Sequence, residues 1–331
     1  MAGVAVSVAL VAWLLRSVDL PELGRQLAAT SWWWVAPAAA VGPLGVWARA
    51  VRWRYLFPPR SEPPGLIPAN MIGYMANNVL PLRAGELVRV YIAARHLRAA
   101  RGLSAGESLW LAGATVVVER LLDGVSLVLI MAVLVFVIPV PPALQYAAAI
   151  VLVTDAVAAV ALIALAVAPA PSRRLLARLT RRWPRLARRA DRGLDMVVLG
   201  LAGVRARVHL LPLAAWTVLI WVLGALGAWA LLRAVHLDLT LTAGWTVLVF
   251  VGFGISIPSA PGYVGVWHAA AVLALAIFGV GQAAALGYAV LYHASQFVPI
   301  TLVGWIFLLR EHVSLGEAAR AGRDLAGHHG G

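Results

Sequence analysis

The chain has no cysteine and no lysine. Without thiols there is no disulfide, no thiolate metal site and no cysteine nucleophile. All 27 basic residues are arginine, against 14 acids, for a formal net charge of +13. Lysine-free, alanine-rich coding points to a GC-rich bacterial genome and says nothing of function. Charge of either sign is scarce, at 12% of 331 residues, while 62% are hydrophobic and mean hydropathy is +0.86. No soluble domain of this length has that balance; a polytopic helical membrane protein does. A basic excess in such a chain is first a topology signal and second an attraction to anionic headgroups. There is no soluble module to bind nucleic acid. Met1–Arg16 lacks a basic leader and reads as a first span, not a cleaved signal.

What is there is a succession of apolar runs. Val4–Leu15 is a short first span, and Trp32-Trp33-Trp34 opens a second as an interfacial aromatic belt would. That span leaves through a basic, aromatic exit, Arg49-Ala-Val-Arg52-Trp-Arg54. Further runs cover 107–137, 145–167, 210–232, 241–257, 266–280 and 283–309. Loops near 49–60, 95–101 and 173–207 are arginine-rich, whereas those near 138–143 and 278–284 carry no charge. Ser172–Arg192 holds nine arginines and one acid, Asp191, with leucines at roughly helical spacing. It reads as an interfacial amphipathic segment on the cytoplasmic face, or as a purely topological loop. The expected fold is an all-α polytopic membrane protein of about six full transmembrane helices plus two re-entrant or broken helical hairpins. Residues 1–310 form one transmembrane domain, with 172–207 a cytoplasmic basic amphipathic segment inside it. Residues 311–331 are a cytoplasmic polar tail, and both termini are expected in the cytoplasm. His328 and His329 are too few for a metal site.

The stretch Gly73–Arg89 stands out because it puts two asparagines, a proline, a glutamate and two arginines inside apolar sequence. Lipid cannot solvate open backbone, so a break around Pro81 and Gly85 must be buried in protein or line a wet cavity. Arg83, Glu86 and Arg89 fall i, i+3, i+6 and share roughly one helix face. A short cytoplasmic loop is the plainer alternative. The run 107–137 carries Glu119, Arg120 and Asp123 near its middle. Bare charge at that depth costs about 3 kcal/mol or more, so these residues pair or face water. A structural ion pair and a cavity wall both satisfy that demand.

A second break resembles the first. Leu80-Pro-Leu-Arg-Ala-Gly85 and Ile257-Pro-Ser-Ala-Pro-Gly262 both read apolar-Pro-x-x-x-Gly, and each ends a short apolar segment. Three full spans separate them, 107–137, 145–167 and 210–232. With an odd count the two breaks enter from opposite faces, as in an inverted repeat that builds a site near the midplane.

Five pieces together carry a family resemblance. They are Arg49-Ala-Val-Arg-Trp-Arg54, Asn77-Asn-Val-Leu-Pro-Leu-Arg-Ala-Gly-Glu86, Val118-Glu-Arg-Leu-Leu-Asp123, Pro258-Ser-Ala-Pro-Gly-Tyr-Val-Gly265 and Tyr292-His-Ala-Ser-Gln296. From about Trp32 to Arg310 the chain resembles the transmembrane domain of lysylphosphatidylglycerol synthases and the stand-alone flippase-like proteins related to it. Many relatives carry Glu where this chain has His268, so a carboxylate role does not carry over there. The bifunctional relatives add a soluble aminoacyl-transferase domain, which does not follow here before Gly331. The resemblance implies lipid translocation or binding, not lipid synthesis, in a bacterial cytoplasmic membrane.

A headgroup crossing the bilayer needs a polar path, and arginine pairs bidentately with phosphate at any physiological pH. Arg83, Arg89 and Arg120 are the candidates for headgroup contact. Glu86, Glu119 and Asp123 would hold them, and Asn77 and Asn78 would bond phosphate or freed backbone. Pro81, Gly85, Pro258, Pro261 and Gly262 shape the breaks, with ordinary turn-making the alternative, and Ser259 beside the second is a further candidate for substrate contact. Tyr292, His293 and Gln296 share one face of the last span, where core packing explains them equally well. His268 titrates near neutral pH when unperturbed, which opens a proton-coupled alternative. No cofactor or metal is expected. The expected partners are anionic or phosphate-bearing lipids, and not nucleic acid. A homodimer and a separate lipid-modifying enzyme are compatible with the sequence. The competing classes are a membrane-embedded glycosyl or phosphoryl transferase, using Glu86 and Asp123 as acid and base, and a non-transporting scaffold. Neither metal-ligand spacing, a phosphate loop nor an ordered nucleophile supports the enzyme.

Overall fold

The computed structural model describes residues 20–80, 83–139, 169–180, 206–256 and 259–311, with Leu10 and scattered positions between 146 and 203. The first span around Val4–Leu15, most of 145–167, residues 181–193, Pro81, Pro258 and the tail beyond Glu311 lie outside the described residues. The described residues are helical, with no strand among them. In order they form α1 (Leu20–Ala28), α2 (Trp32–Arg54), α3 (Leu66–Val79), α4 (Gly85–Arg101), α5 (Ala105–Val135) and α6 (Pro169–Thr180). These are followed by α7 (Arg207–Ala234), α8 (Leu241–Gly254), the short 3-10 turn Pro261–Tyr263, α9 (Val266–Ala276) and α10 (Gln282–Glu311).

Among the described residues, α7 and α10 are long and apolar enough to cross a membrane. At 31 residues α5 is as long, but its middle holds Glu119, Arg120 and Asp123. It opens on a capping box: Ser104 Oγ accepts from the Glu107 backbone, and the Glu107 carboxylate accepts from the Ser104 backbone. The tryptophans that open α2 project outward, Trp33 at 91% exposure. That placement suits an interfacial belt.

Four helices are short and packed in pairs: α3 against α4, and α8 against α9. The 14 residues of α3 or α8 reach only about 21 Å, less than a hydrocarbon core of about 30 Å. In the first pair α3 and α4 touch through glycine. A Cβ on Gly85 would overlap the Gly73 carbonyl oxygen and sit 2.6 Å from Asn77 Oδ1. Gly262 in the second break has φ +68, open to glycine without strain. The two breaks meet, and α3 packs on the Pro261–Tyr263 turn.

Apolar packing falls into two clusters. One gathers Trp53, Phe57, Ile72, Ile92 and Leu111 with Leu213 and Leu308. The other gathers Ala38, Met131, Leu231, Phe250, Leu275 and Tyr288. In α5 the buried members of the first cluster end at Val118, with half-buried Leu122 packed against it, and the second begins at Leu127. The charged residues 119–123 lie between them. The bundle is thus two apolar layers with a polar layer at mid-helix.

Candidate functional site

The polar layer is built from three acids and their guanidiniums. Glu119 is fully buried and accepts from Arg89 Nη1 at 2.8 Å and from Arg52 Nη2 at 3.4 Å. One turn on, Asp123 accepts from Arg52 Nη2 at 2.7 Å and from Arg49 Nη1 at 2.8 Å. Glu86, from α4, accepts from Arg89 Nε at 2.8 Å, and the same guanidinium's Nη2 lies 2.6 Å from it. Arg120 reaches all three acids at longer range: 3.4 Å to Glu119, 3.7 Å to Asp123 and 3.9 Å to Glu86. Sequence spacing explains the arrangement, because Arg49 and Arg52 sit i, i+3 on α2 and face the i, i+4 pair Glu119 and Asp123 on α5.

Burial this deep demands full pairing. Arg52 and Arg89 are at most 1% exposed. Beyond its two acids, Arg89 donates to Asn70 Oδ1 at 2.9 Å and lies 5.1 Å over the Trp53 ring. Asn70 passes the restraint on, donating to the Val46 carbonyl, and Trp53 Nε1 donates to Thr115 Oγ1. Arg52 also donates to Thr217 Oγ1 on α7. The inner part of the network therefore ties α2, α3, α4, α5 and α7 together.

Its outer part faces a cavity of about 610 Å³. That volume suits a small-molecule or headgroup site, for which about 300–1,000 Å³ is usual. Its lining holds polar side chains, Arg49, Tyr74, Asn77, Arg83, Glu86, Arg120 and Asp123. It also holds apolar ones, among them Val41, Ile220, Leu248 and Ile300. Aromatic residues close the end near the second break, among them Tyr263, Trp267, Tyr292 and Phe297, with His293.

Asn77, Asn78, Arg83, Glu86, Arg120, Asp123, Tyr292 and Gln296 line the cavity. Arg89 and Glu119 stand behind its wall as the buried frame. Ser259 and His268 are not among the lining residues. His268 packs edge-on against His293, at 4.9 Å between ring centroids, and its Nδ1 accepts from the Gly265 backbone at 3.3 Å. Gln296 donates to the Ala38 carbonyl and Asn78 to Thr301 Oγ1, so both also tie α10 to its neighbours. Gly85, Pro261 and Gly262 lie where one short helix ends and the next begins. At the tips, Arg83 and Tyr263 both have positive φ, 55° and 60°, and the guanidinium lies 5.9 Å from the Tyr263 ring.

Sequence reasoning passed over Arg49 and Arg52. They read as part of a basic helix exit, yet they are the closest partners of Asp123. Tyr74 was also passed over; its hydroxyl accepts from Arg120 at 3.4 Å. No count pointed to Arg49 and Arg52, because Arg83, Arg89 and Arg120 already balance Glu86, Glu119 and Asp123 charge for charge.

The lysylphosphatidylglycerol synthase transmembrane region is the family whose model matches, over residues 1–304. The chain belongs to that family. It is an all-α membrane protein of a group related to lipid handling. No curated protein and no solved structure matches it.

Proposed function

We propose that this protein moves a phosphate-bearing lipid, a phospholipid or a polyprenyl-phosphate-linked carrier, between the leaflets of a bacterial cytoplasmic membrane. The observation that carries the reading is the cavity at mid-helix, whose lining combines arginines with hydrocarbon side chains. A phosphate needs the former and acyl or prenyl chains tolerate the latter. Arg83 and Arg120 would take the phosphate, each able to donate two parallel bonds. Glu86 and Asp123 hold the Arg120 guanidinium in place and compete with the phosphate, so that it binds loosely enough to leave. No covalent step is needed, so transport is favoured over lipid-carrier transfer chemistry.

The same reading makes the α3–α4 and α8–α9 pairs re-entrant hairpins of an inverted repeat, among about six full spans. Their meeting tips, at Arg83 and Tyr263, would then be the thin barrier that rocks during exchange. Single cysteines at Val140 and Thr180 test the topology, since the native chain offers no competing thiol. They should label from opposite faces; labelling from one face overturns the inverted arrangement.

The direct test is lipid exposure in liposomes. Purified protein should expose tail-labelled phospholipid to an outside headgroup reagent faster than protein-free vesicles do. Arg83→Ala and Arg120→Ala should each slow it by about 30-fold or more, because each leaves the phosphate short of a cation and the second also leaves carboxylates short of one. Arg178→Ala, on the exposed face of α6, should change it by only about fivefold. Equal rates for Arg120→Ala and Arg178→Ala at equal expression would overturn the path.

A further inference from the structure

His268 is the one titratable residue of α9, and it takes no part in lining the cavity. It falls three positions after Gly265, which caps the helix, and its Nδ1 accepts the Gly265 N–H at 3.3 Å. A neutral imidazole that accepts at one ring nitrogen carries its hydrogen on the other. His268 therefore holds its hydrogen on Nε2, and a second proton can go only to Nδ1. That is the atom the backbone already uses. Protonation turns the acceptor into a donor that faces another donor, and the cap is lost.

The cap sits where the second break turns into α9. Gly265 has φ +87, a conformation that glycine enters and leaves freely, so a bond is needed to hold it there. A cation in the first turn of α9 also opposes the positive end of the helix dipole. Three residues earlier, a Cβ on Gly262 would lie 3.2 Å from the Asn78 carbonyl oxygen and 2.8 Å from the Phe297 ring. Asn78 and Phe297 both line the cavity, so movement of the break reaches its lining.

The surroundings make imidazole the responsive group. His293, which lines the cavity, lies edge-on to His268 at 4.9 Å and stacks on Trp267 at 5.2 Å. Two imidazolium cations at that distance repel, so the pair takes up protons one at a time. Also from α10 come Tyr292, in ring contact with Trp267, and Tyr288 against Tyr292. The turn before α9 brings Tyr263, with Arg83 at 5.9 Å from its ring, and α3, packed on that turn, carries Tyr74. The other neighbour of α9, α8, has no titratable side chain. Tyrosine and arginine keep their protons across the range in which imidazole titrates.

We propose that His268 is a proton-binding site that releases the second break. Neutral, it caps α9 and holds the break against Asn78 and Phe297. Protonated at Nδ1, it gives up the Gly265 bond, so acid favours the arrangement in which the break is free. The proton comes from water and returns to water, and no other bond is made or broken. The proposal rests on the transport reading only for the claim that a freed break speeds lipid passage.

The test has a conformational arm and a transport arm. Val264 is exposed beside Gly265, and a cysteine there would be the only thiol in the chain. Val264→Cys carrying a nitroxide spin label reports the mobility of the break in the full chain in detergent. From about pH 8 to about pH 5 the mobile fraction should rise about threefold or more. His268→Asn puts an amide oxygen where Nδ1 was, keeps the cap at every pH, and should abolish the rise. His293→Phe should leave the rise in place, and so should Asp155→Asn, at a carboxylate outside the described residues. Absence of the rise, its survival in His268→Asn, or its loss in either of the other two variants overturns the proposal.

In liposomes, exposure of tail-labelled phospholipid is measured against protein-free vesicles at the same pH. It should be about fivefold or more faster at about pH 5 than at about pH 8, and His268→Asn should flatten the difference. Equal rates at the two pH values, with a responding label, overturn the coupling of the break to transport. A responding label with no transport at either pH upholds the proton site and defeats the transport reading instead.

Discussion

The two helical hairpins share a backbone plan and differ in chemistry. In the α3–α4 pair, Asn70, Asn77, Asn78, Glu86 and Arg89 all make side-chain hydrogen bonds or ion pairs. The α8–α9 pair buries Ala243, Val247, Phe250, Ala270 and Leu275 and offers the cavity rings and aliphatic side chains. Both are closed by a small residue at the contact. At Gly85 the obstacle to a Cβ is the Gly73 backbone, whereas at Gly254 it is the Ala270 Cβ at 2.9 Å. A folded pair of short helices is thus a frame that accepts either content. The charged content has to be completed by other helices, and the apolar content does not.

The largest effect that should separate the two comes from removing an anchor of the polar pair. Glu119→Gln leaves Arg52 and Arg89 short of a buried countercharge, and it should cost about 3–5 kcal/mol of stability. His268→Ala, in α9, loses one bond to the Gly265 backbone and should cost about 1 kcal/mol. Denaturant midpoints in detergent measure both; similar losses would mean that charge completion is not what distinguishes the hairpins.

The next contrast is steric. Gly85→Ala drives a Cβ into backbone that cannot yield and should cost roughly 3 kcal/mol, with loss of monodisperse protein. Gly254→Ala meets side-chain carbon at 2.9 Å and should cost about 1 kcal/mol by a small shift of α9. If Gly254→Ala is the more damaging of the two, the first hairpin is looser than its glycine contact implies.

The smallest effect lies where the hairpins touch. Arg83 over Tyr263 should couple them by about 0.5–1 kcal/mol, as a partly exposed cation–π pair does. A double-mutant cycle with Arg83→Gln and Tyr263→Leu reads this directly. A coupling of zero would leave the tips adjacent without attraction.

Much of this was legible in the residues. Glu119, Arg120 and Asp123 sit inside an apolar run of 31 residues, and the cost of bare charge in lipid requires partners for them. Gly85 and Gly262 marked breaks because glycine and proline interrupt a helix wherever it is buried. Arg49 and Arg52 were not legible. A basic, aromatic helix end is the ordinary signature of an interface, and one-dimensional spacing does not reveal how far that end lies from the water. Arg89 was legible as polar at depth but not as frame in place of wall, because that depends on Trp53 and Asn70 closing over it. Ser259 stood beside the break in sequence, but it is not among the cavity-lining residues.

The sequence by itself determined the solvent and the demand. Composition alone requires a bilayer, and hydrocarbon requires that each acid within it find a cation. Which cation answers each acid was decided only by the tertiary structure. Arg49 and Arg52 lie 67 to 74 residues from Glu119 and Asp123, and Arg89 lies 30 residues from Glu119. Coulomb attraction falls with distance in space and is indifferent to distance along the chain. The pairing therefore follows from how α2, α4 and α5 pack.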